Sequence, residues 1–170
     1  MKTLRGFLSE AKKTSTVTFM IGPPGVGKST YVSREGLKNV LSRDDIVMDH
    51  GHKIGLKNYN LIFSKVDQNL INKELNNKFK KLINRGESFV IDMTLMNRKS
   101  RSKFLSQIPK HYKKIAIAFE TNLDTLKKRN LLRAEQGKNL PISIISDMLS
   151  KYEPPSETEG FDDIEIKKIN

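Results

Sequence analysis

Apolar positions along this chain fall alternately into short runs and helical stripes. Val17 to Ile21 is a short apolar run closing at Gly22, which predicts a buried strand feeding a loop, and Lys28 to Leu37 reads as the helix that follows. Asn39 to Ser42, with Val40 and Leu41, predicts a second strand that ends at the acidic pair Asp44 and Asp45. From Tyr59 the positions Ile62, Val66, Leu70, Ile71, Leu75, Phe79, Leu82 and Ile83 keep one face apolar for several turns, so one long amphipathic helix is expected up to Gly86. Phe89 to Ile91 makes a third strand ending at Asp92, and Ile115 to Phe119 a fourth.

Between these last two strands, Asn97 is placed to cap a helix whose apolar side is Phe104, Leu105 and Ile108, stopped by Pro109. Leu123 to Ala134 predicts a basic helix. Pro141 opens another that carries Ile142, Ile145, Leu149 and Tyr152 and ends before Pro154 and Pro155. Ile164 and Ile166 alternate with charged residues like a final edge strand. Strands alternating with helices imply an α/β sandwich around a mostly parallel sheet, in which ligands bind beyond the carboxyl ends of the strands.

Length adds one constraint: 170 residues make a single domain, of which 1–15 read as a basic extension with a short surface helix over Met1 to Lys13. No run approaches the ~20 apolar residues of a bilayer span, and the start lacks the apolar stretch of a signal peptide. Cysteine is absent, which excludes disulfides and thiolate metal sites and is compatible with a cytoplasmic setting. A net charge of +12 favours polyanionic partners, nucleic acid first among them, although general surface basicity accounts for it equally well.

The sharpest chemical signal is Gly22, Pro23, Pro24, Gly25, Val26, Gly27, Lys28, Ser29, a match to G-x-x-x-x-G-K-[ST] with a strand before and a helix after. With Thr30, these residues are the candidate nucleotide-binding set. Lys28 would reach the β- and γ-phosphates and Ser29 would ligate Mg²⁺. No Asn-Lys-x-Asp segment for reading guanine occurs, so ATP is the expected nucleotide.

On the acceptor side, Asp44 or Asp45 is the candidate general base, and Asp44 is a second candidate metal ligand. Asp92 would either support magnesium through water or hydrogen-bond the loop bearing Thr94 and Asn97. Arg129 and Arg133, four apart on one helical face, suit a lid over a phosphate site, the alternative being a solvated face paired with Glu135. Between Asp92 and Glu120 every charged residue is basic: Arg98, Lys99, Arg101, Lys103, Lys110, Lys113 and Lys114. Such a patch can track a nucleic-acid backbone. His50, His52 and His111 show no ligand spacing.

Four segments in order carry a family resemblance: the phosphate loop, Ser-Arg-Asp-Asp at 42–45, Ile-Asp-Met-Thr-Leu-Met-Asn at 91–97, and Lys-Arg-Asn-Leu-Leu-Arg at 128–133. Together with Tyr152 to Pro155 and Glu159 to Phe161, they make the chain resemble the kinase module of 5′-polynucleotide kinases, phage-type and animal repair-type. The resemblance implies a P-loop kinase three-layer sandwich with a helical lid, and transfer of the γ-phosphate of ATP to the 5′-hydroxyl end of DNA or RNA. It makes Asp44 the base, gives Lys28 and Ser29 to ATP and Mg²⁺, puts Arg133 on the phosphates in the transition state, and gives Arg129 and Asp92 supporting parts. Asp44, Asp45, Asp92, Thr94, Asn97 and Arg101 are then the expected acceptor-side residues. Two departures stand out: Val47 replaces an arginine that the phage family has three residues after its base, and no phosphatase module follows. The rival expectations are a small-molecule or nucleoside kinase, or a zeta-toxin-like nucleotide-sugar kinase, on the same fold, and a non-catalytic nucleic-acid-binding module using ATP as a switch.

Overall fold

The structure, a computed structural model, describes residues 14–135 and 137–169; the helix expected over Met1 to Lys13 lies outside them. Five strands, β1 (Thr16–Ile21), β2 (Val40–Ser42), β3 (Phe89–Asp92), β4 (Lys113–Thr121) and β5 (Asp163–Ile169), form one sheet in the order β2-β3-β1-β4-β5. Every neighbouring pair is parallel. The helices are α1 (Lys28–Arg34), α2 (Arg43–Lys53), α3 (Tyr59–Lys65), α4 (Gln68–Arg85), α5 (Arg98–Leu105), α6 (Leu123–Ala134) and α7 (Ile142–Ser150).

Side-chain alternation along the strands builds two cores. Val17, Phe19 and Ile21 of β1 face one side, where α2, α3, α4 and α5 contribute Ile46, Ile62, Ile71, Leu75, Phe79 and Phe104. Met20, with Val90, Ile117 and Phe119, faces the other, against Val32 of α1, Leu126 of α6 and Ile145 of α7. The result is three layers, helices on both faces of a parallel sheet, as the alternation of elements implied. Among the described residues no helix is long and apolar enough to cross a membrane.

Two local expectations are corrected. The long helix from Tyr59 to Ile83 is in fact α3 and α4, because Val66 turns to extended backbone and the Asp67 carboxylate accepts from the backbone N–H groups of Asn69 and Leu70, capping a new helix. An aspartate that can satisfy otherwise unpaired helix-start donors competes with continuing the previous helix. The second correction is α2, a helix that begins directly at the end of β2. The Ser42 hydroxyl caps it by accepting from Asp45 N at 3.2 Å, and Asp44 and Asp45 occupy its first turn, where negative charge complements the helix dipole.

α2 and α3 approach each other at Gly51, which is buried. A Cβ at that position would collide with the Ile62 side chain. Substituting Gly51→Ala therefore forces the two helices apart. It is expected to cost about 1–3 kcal/mol, read as a fall of several degrees in the thermal unfolding midpoint; an unchanged midpoint would contradict this packing.

Candidate active site

The parallel register sets the site. Ser42 pairs with Asp92, and Asp92 with Met20, so β2, β3 and β1 finish side by side and their following segments emerge together. After β1 the chain turns through Gly22, Gly25 and Gly27 at φ 153, 80 and 110°. A side chain on Gly22 would press on the Phe119 backbone oxygen at 3.0 Å, so the loop lies tight against β4. Gly22 N donates to Thr94 O at 3.0 Å, which ties the loop to the segment after β3. Thr94 thus enters the site's architecture through its backbone.

Lys28, only 8 % exposed, donates from Nζ to the carbonyls of Gly22 at 2.7 Å and Pro23 at 2.9 Å. Burial pushes its pKa down to about 8; the charges of Asp92 and Asp44 oppose the shift and that of Arg133 adds to it. Ser29 Oγ donates to Asp92 Oδ2 at 2.7 Å, which places the hydroxyl and the carboxylate as one oxygen pair beside the loop. Among the described residues no group of three His, Asp or Glu side chains could hold a metal unaided. Ser29 and Asp92 would therefore hold magnesium together with phosphate oxygens.

The two arginines of α6 reach the same loop. Arg129 Nη1 donates to Val26 O at 2.8 Å. Arg133 packs on Gly25, where an added Cβ would stand 3.3 Å from its Cδ, and its buried Nη1 has no acceptor among the described residues. A buried guanidinium N–H without an acceptor is costly, and a phosphate oxygen is the partner its chemistry calls for. The loop, Lys28, Ser29, Asp92 and Arg133 thus fit a magnesium-bound triphosphate. Both guanidinium-bearing side chains of α6 thus lie against the phosphate loop.

Asp44 is exposed at the start of α2, and its Oδ1 accepts from Tyr59 Oη at 2.9 Å. Tyr59, at the first position of α3, was not anticipated, and nothing in its sequence neighbourhood marks it. Burial and the adjacent Asp44 charge push its phenol well above the ordinary range, so it stays a donor. Asp45 is shifted upward, chiefly by burial. The Asn97 side chain caps α5 by accepting from Ser100 N at 2.8 Å, in a reciprocal capping box. A cleft of about 390 Å³ opens beside Pro23, lined also by Met96, Glu120, Leu149 and Tyr152.

Arg101, expected on the acceptor side, is fully buried instead. It donates to both oxygens of Glu159 at 2.7 and 2.8 Å and to the carbonyls of Leu95 and Glu153 at 3.1 and 2.9 Å. It fastens the loop after β3 to the segment between α7 and β5 and is not placed to meet a ligand. Val47 is likewise wholly buried, part of the core.

A family model described as the AAA domain matches residues 17–155. The chain belongs to the AAA domain family. Solved structures extend the likeness of this AAA domain at the level of fold. A candidate kinase of Chloroflexus aurantiacus is 16% identical with a TM-score of 0.63, over 93% of this chain and 87% of that one. A structure of the PezAT chromosomal toxin–antitoxin system of Streptococcus pneumoniae is 18% identical, TM-score 0.63, over 96% and 74%. A gluconokinase of Sinorhizobium meliloti is 14% identical, TM-score 0.52, over 93% and 85%. The three-layer arrangement described above is thus shared with these solved structures.

Two outcomes follow from the geometry. In the free protein Lys28 loses its proton as pH rises through about 8, whereas bound phosphate favours the charged form, so nucleotide binding above that pH takes up a proton. Calorimetry in buffers of different ionisation enthalpy should find uptake at about pH 9 with affinity falling up to about tenfold per pH unit, and Lys28→Ala should bind weakly with no uptake. Arg101→Met leaves the carboxylate of Glu159, 7% exposed, without its buried partner. Loss of about 3–5 kcal/mol of stability is expected, with nucleotide affinity of the folded protein within twofold; the reverse pattern would return Arg101 to the ligand.

Proposed function

We propose that the chain is an ATP-dependent phosphotransferase that delivers the γ-phosphate to the hydroxyl of a small molecule, with Asp44 as general base. The observation that carries this reading is the placing of Asp44, held by Tyr59 and near enough to influence Lys28, at the same sheet edge as the phosphate loop. The helix start by itself asks only for negative charge in its first turn, whereas Tyr59 additionally fixes one oxygen of this carboxylate, which supports a chemical part for it.

In this reading Gly22 to Thr30 cradle the phosphates, and Lys28 and Arg133 meet the negative charge that gathers on the transferred group. Arg129 keeps the lid helix on the loop. Magnesium, held by Ser29 with Asp92 behind it, would supply charge neutralisation of the phosphate oxygens. Asp44 takes the acceptor's proton at Oδ2, the oxygen that Tyr59 leaves free, as the acceptor oxygen bonds to phosphorus and the bond to the leaving diphosphate breaks.

A small acceptor is favoured by the company of the fold, which includes a gluconokinase. It is favoured further by the burial of Arg101 and Val47, two positions from which a contact to a polynucleotide was considered. A 5′-hydroxyl end of DNA or RNA is the second reading, supported by the net charge of +12 and by exposed Arg98, Lys99, Lys103, Lys110 and Lys113.

The deciding experiment offers γ-labelled ATP and Mg²⁺ with a panel of sugars, nucleosides, nucleotide sugars and a 5′-hydroxyl oligonucleotide. Label should pass to a small acceptor, and Asp44→Asn should cut kcat by about 10² to 10⁴ while leaving ATP binding intact. Label on the oligonucleotide alone would install the second reading. No transfer to any acceptor would remove the phosphotransferase assignment.

A further inference from the structure

We infer that Tyr59 is a positioning residue for Asp44 and that the turn closing the lid helix holds Tyr59 in place, so that seating the lid on the phosphate loop also orients the base. This rests on the phosphotransferase reading above.

The linkage is continuous in the structure. α6 engages the phosphate loop through Arg129 and Arg133 and ends in a turn in which Gly137 N donates to Ala134 O at 2.9 Å and Lys138 N to Arg133 O at 3.0 Å. That turn grips the first residues of α3. Asn60 N donates to Gly137 O at 3.2 Å, and Asn60 Nδ2 to Asn139 O at 3.3 Å. Gly137 adopts φ 63°, a left-handed conformation that favours glycine, and a Cβ there would crowd the Asn58 side chain. Asn58 in turn caps α3 by accepting from Leu61 N at 3.1 Å. Between Asn58 and Asn60 stands Tyr59, its ring stacked on Phe63 at 6.2 Å and the Lys138 ammonium 5.9 Å from the ring centroid.

With its ring so flanked, the phenol donates to Asp44 Oδ1 at 2.9 Å. A hydrogen bond to one carboxylate oxygen narrows the rotamers open to Asp44 and leaves the other oxygen for the acceptor hydroxyl. Misplacing a catalytic group by about 1 Å can cost on the order of a hundredfold in rate, so a single hydroxyl acting through Asp44 can have a measurable effect without touching substrate.

Tyr59→Phe keeps the ring and its stacking and removes only the donor. It is expected to lower kcat about tenfold, with KM for ATP and the thermal midpoint unchanged, and to add nothing further in the Asp44→Asn background, the mark of two residues acting through one. An unchanged kcat, or a loss that adds fully to that of Asp44→Asn, would overturn the role. The lid link has its own readout: amide exchange at Asn60 should slow at least about fivefold when a non-hydrolysable ATP analogue binds, and Gly137→Ala should abolish that protection. No slowing in the unmodified protein overturns the link. Should that protein transfer phosphate to nothing, the phosphotransferase reading and the part of Tyr59 in it both fall, while amide exchange still decides the link between lid and α3.

Discussion

Hydrogen bonding between parallel strands imposes the constraint on which the site depends. Because β2, β3 and β1 are paired with Ser42, Asp92 and Met20 at one level, their carboxyl ends stand about 4.8 Å apart in sequence of position across the sheet. The phosphate loop, the Asp92 loop and the start of α2 consequently leave the sheet at one edge. A slip of one residue in either pairing would turn every side chain of that strand to the opposite face. The two apolar cores on either side of the sheet are what oppose such a slip, so the chemistry at the edge is held in register by packing well below it.

The edge itself carries unfavourable features that are balanced against each other. Lys28 is buried with loop carbonyls as its partners, and the Nη1 of Arg133 is buried with none among the described residues. Leu95, buried, takes φ 45°, a conformation that costs a branched side chain of the order of 1–3 kcal/mol. Its carbonyl is one of those gripped by Arg101. The buried Arg101–Glu159 pair thus stabilises a strained loop from behind, and that loop, through Thr94, fixes the first glycine of the phosphate loop. Backbone strain and a guanidinium N–H without an acceptor among the described residues are thus gathered at one edge of the sheet, and the strain is compensated at a distance.

Membership in the AAA domain family and likeness in fold to solved structures extend over residues 17–155, which take in the phosphate loop, α2, α3 and the turn after α6 alike. The half of the site around Asp44 is built from α2, α3 and the turn after α6, and a shared scaffold does not by itself fix what such a region binds. In this chain that half consists of Asp44, the phenol behind it and the aromatic and basic residues Phe63, Arg43 and Lys138 around it.

Much of this could be read from residues in order. The phosphate loop, its strand and helix, the Asn97 cap and the whole of α6 from Leu123 to Ala134 were legible because each is settled by contacts among residues a few positions apart: glycines that permit a turn, a side chain that satisfies helix-start donors, an apolar period of 3.6. The break at Asp67 and the helix starting at Arg43 were local too, but their caps lay inside patterns that also suited a continuous helix or a turn. Only the tertiary structure could decide that Arg101 is spent on Glu159, 58 residues away, rather than on a ligand. It alone could show that Tyr59, 15 residues beyond Asp44, returns to hold it. Those choices depend on which helix faces pack together, and packing is decided by the sum of many weak apolar contacts that no short stretch of sequence contains.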